Sequence, residues 1–136
     1  MASAGASHVD DNTGVTVLIV DDESMVRSMM AELLERYGYR VLEAADAEEA
    51  VKLCHADDGQ ISLLITDVAM PGTDGIELAE TISEIKPGIE VLYISGYSDR
   101  VLMGAGRVDR GAHVLTKPFE VRELMAKISE ILGTGS

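Results

Sequence analysis

Carboxylates, hydroxyls and one ammonium fall at matching places in this chain. The run "VTVLIVD" (15–21) leads into Asp21, Asp22 and Glu23, and "ISLLITD" (61–67) ends in Thr66 and Asp67. The run "IEVLYIS" (89–95) ends in Ser95, and "AHVLTK" (112–117) ends in Thr116 and Lys117. Carboxylates held together repel, so either one stays protonated or a cation sits among them. Lys117 offers one positive charge. A hard divalent ion adds two more and takes oxygen ligands, and Mg2+ needs only one or two carboxylates beside water and phosphate oxygens. Such a set is suited to receiving an anion beside a metal. Phosphoryl transfer uses those parts: a positioned acceptor, a divalent ion, a fixed cation and a hydroxyl donor. Asp67 would be the nucleophile, since carboxylates form aspartyl phosphates. Ser95 would hydrogen-bond one phosphoryl oxygen, and Lys117 would pair with another as a point charge on a flexible stem.

These residues must be positioned by the elements that precede them. Continuous apolar, β-branched runs suit strands buried on both faces, as in a parallel sheet. Two weaker strands are expected at "RVLEAA" (40–45) and "AHVLTK" (112–117). Helical patterns fill the gaps. Val26, Met29, Met30, Leu33 and Tyr37 share one predicted face, with Gly38 as a stop. Ala47, Ala50, Val51 and Cys54 form a second, behind Asp46 and Glu49 in a capping-box-like start. Asp74 and Glu77 stand ahead of Leu78, Ile82 and Ile85, and Val121, Leu124, Met125, Ile128, Ile131 and Leu132 make the last stripe. The methionines in these stripes are expected in the core. Residues 98–107 make a poor helix, because Gly104 and Gly106 each cost about 1 kcal/mol relative to Ala.

The predicted order is βαβαβαβαβα, which implies right-handed crossovers and an α/β architecture. Five strands fit the flavodoxin-like, doubly wound order 2-1-3-4-5. Sites in such sheets lie outside the carboxyl ends of the strands at the switch point. That order places Asp21 or Asp22 beside Asp67, with Ser95 on the other neighbour and Lys117 on the strand beyond. Strand two ends in Ala44 and Ala45, with nothing chemical.

Composition narrows the function classes. The formal net charge of -13 argues against a nucleic-acid surface, which would need clustered Lys and Arg. The single cysteine, Cys54, excludes an internal disulfide and fits a reducing compartment. No apolar stretch is long enough for a membrane span, and residues 1–14 lack the features of a signal peptide, so a cytoplasmic location is expected. One domain is expected over residues 15–133, with disordered tails at 1–14 and 134–136. His8, His55 and His113 show no ligand spacing. "GAGRVDRG" (104–111) does not match a dinucleotide fingerprint, and no phosphate-binding P-loop motif occurs.

Four segments together resemble one family. "LIVDDE" (18–23), "LLITDVAMPGTDG" (63–75), "LYISGY" (92–97) and "LTKPF" (115–119) are similar, in order and spacing, to the motifs of two-component response-regulator receiver domains. "ISGYSDR" with "TKPFEVREL" is most similar to receivers associated with hybrid sensor histidine kinases. The resemblance implies Asp67 as phosphoacceptor, Asp22 as a direct Mg2+ ligand, Asp21 as a ligand through water, and metal coordination by the Ala69 backbone carbonyl. It implies the roles above for Ser95 and Lys117, and a cis Lys117–Pro118 bond. The phosphodonor would be a phosphohistidine of a sensor kinase or histidine phosphotransfer domain. Such a chain is a signalling phosphoacceptor that assists its own phosphorylation and dephosphorylation rather than an enzyme. A weak homodimer through the last helix face, no nucleic acid and no membrane insertion are the remaining partner expectations.

Two features bear on readout. The family keeps an aromatic three residues before the lysine, and Val114 stands there. The glycine-rich 98–111 segment is therefore expected to respond instead, and Ala69 and Tyr97 to influence dephosphorylation. Two alternative functions use related residues. An aspartyl-nucleophile phosphohydrolase of the dehalogenase-like kind would want D-x-D after strand one, which "DDESM" lacks. A docking-only receiver fold would have lost an acceptor, metal ligand or lysine, and none is lost. Met70-Pro71-Gly72 fits a type II turn after Asp67.

Overall fold

The computed structural model describes residues 14–96 and 112–133. Five strands form one parallel sheet: β1 (Thr16–Val20), β2 (Arg40–Ala44), β3 (Leu63–Asp67), β4 (Glu90–Ser95) and β5 (His113–Thr116). Their order is β2-β1-β3-β4-β5, as the doubly wound reading expects. Four described helices connect or follow them: α1 (Ser24–Arg36), α2 (Ala47–Ala56), α3 (Gly75–Ile85) and α4 (Val121–Leu132). The expected helix between β4 and β5, and the switching role given to 98–111, lie outside the described residues.

Alternation along the strands sorts the core into two layers. Leu18, Val20, Leu64 and Tyr93 pack with Ala50 and Cys54 of α2 and Ile76, Ala79 and Ile82 of α3. Val17, Ile19, Leu63, Ile65, Leu92 and Ile94 pack with Met30, Ala31 and Leu34 of α1 and Leu124 and Ile128 of α4. Every residue of β1 and β3 is buried, because these central strands have helices on both faces.

One helix face differs from its sequence reading. On α1 the buried residues are Met30, Ala31 and Leu34, with Val26 and Leu33 partly buried. Met29 and Tyr37 are exposed, at 52% and 47%. The face against the sheet runs along Met30 and Leu34, with Ala31 beside them. Met29 lies to one side of that line, and Tyr37 is already the C-cap. Val121, in the first turn of α4, is likewise exposed.

The caps follow the expected residues with altered partners. Asp46 accepts the Glu49 N–H at 2.8 Å, while the Glu49 carboxylate reaches back to the Ala45 N–H, one residue before a standard capping box. Asp74 accepts the Ile76 N–H at 2.7 Å. Pro71 and Gly72 link a two-residue antiparallel hairpin, Ala69–Met70 with Thr73–Asp74, and Gly72 has the positive φ of 72° that the third position of a type II turn requires.

Candidate functional site

The C-terminal ends of β1, β3, β4 and β5 deliver the predicted residues to one place. Asp21 follows β1 and is buried, while Asp22 beside it is exposed. Asp67 is the last residue of β3 and is 6% exposed. Carboxylate oxygens of Asp21, Asp22 and Asp67 all lie within 4.8 Å of one another. The Lys117 ammonium stands 3.3 Å from Asp67 Oδ1 and 3.9 Å from Glu23 Oε1. Its backbone is fixed to the neighbouring strand, because Lys117 N–H donates to the Ser95 carbonyl at 2.8 Å. The Lys117–Pro118 bond is cis, as the resemblance implied.

Ser95 is buried at the end of β4, and its hydroxyl donates to the Gly96 carbonyl at 3.1 Å. Ala69 is exposed in the hairpin two residues beyond Asp67, paired with Asp74. Tyr97 lies outside the described residues. Val114 is half-buried on β5 opposite Tyr93 and packs against the α2–α3 side of the core.

Four carboxylates around one lysine leave the site strongly anionic. Burial, then the neighbouring Asp21 charge, raise the Asp67 carboxyl from 3.8 to about 6, against the pull of Lys117. Burial also raises Asp21, although the Glu23 N–H bonds its Oδ1 at 2.8 Å. Lys117 is raised by Asp67, Asp21 and Glu23, which outweigh the desolvation that opposes them. Among the described residues, Asp21 Oδ2 and Asp67 Oδ1 are buried with no hydrogen-bond partner, since the lysine at Asp67 is close but outside hydrogen-bond geometry. Buried polar atoms normally find partners. Two such carboxylate oxygens, with a third carboxylate open to solvent, fit a hard divalent cation with oxygen ligands.

Three supporting residues escaped the sequence reading. Gly75 opens α3, and a Cβ there would overlap the Asp67 carbonyl oxygen and stand 2.9 Å from its carbonyl carbon. Arg27 on α1 donates to the Asp21 carbonyl at 2.7 Å and pairs with Glu43 of β2 at 3.2 Å. β2 brings no side chain into the site from Ala44 or Ala45, but Glu43 before them holds Arg27, and the Ala44 carbonyl accepts the Asp21 N–H at 3.2 Å. The glycine after Asp74 was a visible signal. Nothing in the local sequence marked the Arg27 contacts.

A family model for the response regulator receiver domain matches residues 17–129. The chain belongs to this family. It is 34% identical to the response regulator receiver protein CpdR of Brucella abortus, over 85% of this chain and 95% of that protein. It is 32% identical to the sensor kinase CckA of the same organism, over 90% of this chain but only 13% of the kinase. Among solved structures, the receiver domain of the hybrid histidine kinase CckA is similar, at 36% identity and a TM-score of 0.72, covering 86% of this chain and 98% of that one. The response regulator TrrA of Thermotoga maritima, solved in complex with Mg2+-BeF, has 29% identity and a TM-score of 0.71, covering 87% of this chain and 99% of that one. This receiver domain is thus a signalling module of two-component systems, similar both to a whole receiver protein and to a kinase-attached receiver. Among the described residues, no helix is long and apolar enough to cross a membrane.

Proposed function

We propose that Asp67 is the phosphoacceptor of this receiver, taking a phosphoryl group from a phosphohistidine of a sensor histidine kinase or histidine phosphotransfer domain. One observation carries the reading: a buried carboxylate at the end of the central strand has an ammonium 3.3 Å away and two further carboxylates within 4.8 Å. With its carboxyl at about 6, Asp67 is mostly ionised near neutral pH and able to attack. Its oxygen forms a bond to phosphorus as the nitrogen–phosphorus bond of the donor breaks, and the released imidazole takes a proton from solvent. Lys117 then exchanges its Asp67 contact for a phosphoryl oxygen, and the Ser95 hydroxyl turns from the Gly96 carbonyl to donate to another.

Asp22, Asp67 and the Ala69 carbonyl would hold Mg2+ directly, with Asp21 acting through water. Mg2+ bound there would neutralise charge on the phosphoryl oxygens. The acyl phosphate is the state that partners read, so the chain is a phosphoacceptor that assists its own phosphorylation and dephosphorylation. Residues 15–133 form the functional unit, working in the cytoplasm without nucleic acid. The exposed Val121 on α4 supports a weak homodimer through that helix.

Incubation with acetyl phosphate and Mg2+, followed by intact mass measurement, tests the assignment. Wild-type chain should gain one phosphoryl group, and Asp67→Asn should gain none. Labelling that persists in Asp67→Asn would sink the proposal.

A further inference from the structure

The acidic loop after β1 must be aimed at Asp67. Asp21 is engaged at nearly every polar atom. Its N–H donates to the Ala44 carbonyl at 3.2 Å, its Oδ1 accepts from Glu23, and its carbonyl accepts from Arg27 Nη1 at 2.7 Å. Among the described residues, the Asp21 polar atom left without a partner is Oδ2, buried among the carboxylates. Among the described residues, these three hydrogen bonds hold Asp21, and the one made by a side chain from outside the loop is that of Arg27.

We propose that Arg27 is a positioning residue for the metal site, clamping the Asp21 carbonyl so that Asp21 and Asp22 present their carboxylates to Asp67. The inference rests on the metal-binding reading above. The Arg27 side chain is only 17% exposed, so its contacts are held by packing rather than sampled at the surface. The guanidinium uses two edges of its planar fork: Nη1 on Asp21 and Nε on Glu43 at 3.2 Å. A lysine is a point charge and cannot hold both in fixed geometry. The Arg27 N–H also donates to the Glu23 carbonyl at 3.0 Å, so this residue meets both ends of the 21–23 turn. Glu43 has a second consequence. An unpaired guanidinium so near the site would oppose a divalent cation, and the ion pair offsets that charge while keeping the donor. Arg27 acts through the loop backbone, by its bond to the Asp21 carbonyl.

Mn2+ binding to the full chain, read by the electron paramagnetic resonance of free Mn2+, tests this without phosphorylation. Wild type should bind, and Asp22→Asn should lose binding, which shows that Mn2+ reports this site. Arg27→Gln and Arg27→Lys should each weaken Mn2+ affinity by roughly tenfold, the usual scale for groups that orient ligands. Glu43→Gln should give a smaller loss in the same direction, and it remains informative if the Arg27 variants do not fold. Urea unfolding in chelator, run in parallel, separates aim from stability. Folded Arg27 variants with wild-type Mn2+ affinity and a lowered unfolding midpoint would overturn the clamp, as would wild-type affinity in Glu43→Gln. Wild-type chain that takes up no Mn2+ would instead overturn the metal reading, and the clamp with it.

Discussion

Gly75 and Asp67 meet through backbone rather than side-chain chemistry, and that contact yields a prediction of unexpected sign. At the first position of α3, alanine would ordinarily favour the helix by about 1 kcal/mol over glycine. Here the new methyl group would overlap the Asp67 carbonyl, and Gly75 N–H already donates to the Val68 carbonyl at 2.7 Å, so the helix start cannot simply swing away. Overpacking of this kind typically costs 1–3 kcal/mol, about, and exceeds the propensity gain. Gly75→Ala should therefore lower the urea midpoint and slow phosphorylation of Asp67 by acetyl phosphate; a midpoint above wild type would contradict it. The site residues with charge or hydroxyl were legible in the sequence because each closes an apolar run. Arg27 and Glu43 were not, because they act on the site indirectly, Arg27 through the Asp21 carbonyl and Glu43 through its ion pair with Arg27.

Central strands were readable because residues buried on both faces must be apolar, and β1 and β3 have no polar face to confuse the pattern. Helix faces were harder, since an exposed methionine has the same letter as a buried one. The α1 face makes that difference measurable. Leu34 is fully buried against the sheet, so Leu34→Ala should cost about 2–5 kcal/mol, whereas Met29→Ala at a half-exposed position should change stability by less than about 0.5 kcal/mol. Similar losses for the two would mean that the helix is rotated from the orientation described. A second contact at this scale ties elements together at the opposite end of the sheet. Lys86, the C-cap of α3, donates to the Asp57 and Gly59 carbonyls at 2.6 and 2.8 Å, fixing the loop that feeds β3. Lys86→Met keeps the stem and removes both bonds. Denaturant unfolding should show a loss of about 1–2 kcal/mol, with phosphorylation at Asp67 unchanged. Loss of labelling in a folded variant would show that the loop and the site are coupled.

Over the whole molecule, the anionic site opposes folding unless a cation is bound, and pH reveals this. The folded chain holds the Asp67 proton more tightly than the unfolded chain, with a carboxyl at about 6 against 3.8, and Asp21 shifts the same way. Stability from such a group is present below pH 3.8 and is lost as pH rises through about 6. For Asp67 that loss amounts to about 2–3 kcal/mol by neutral pH. The formal net charge of -13 acts in the same direction, since carboxylates elsewhere also ionise over this range. Comparing wild type with Asp67→Asn cancels that shared background. In chelator, Asp67→Asn should be the more stable protein at pH 7, and the difference should shrink towards zero near pH 4. Mg2+ at about 100 times its dissociation constant should return about 2.7 kcal/mol to wild type at pH 7, and much less to the variant. It should return little to either near pH 4, where Asp67, one of the carboxylates that would hold it, is protonated in wild type. Urea titrations across this pH range, with and without Mg2+, check both halves. A stability difference in chelator that does not vary with pH would show that Asp67 is not the strained carboxylate this geometry describes.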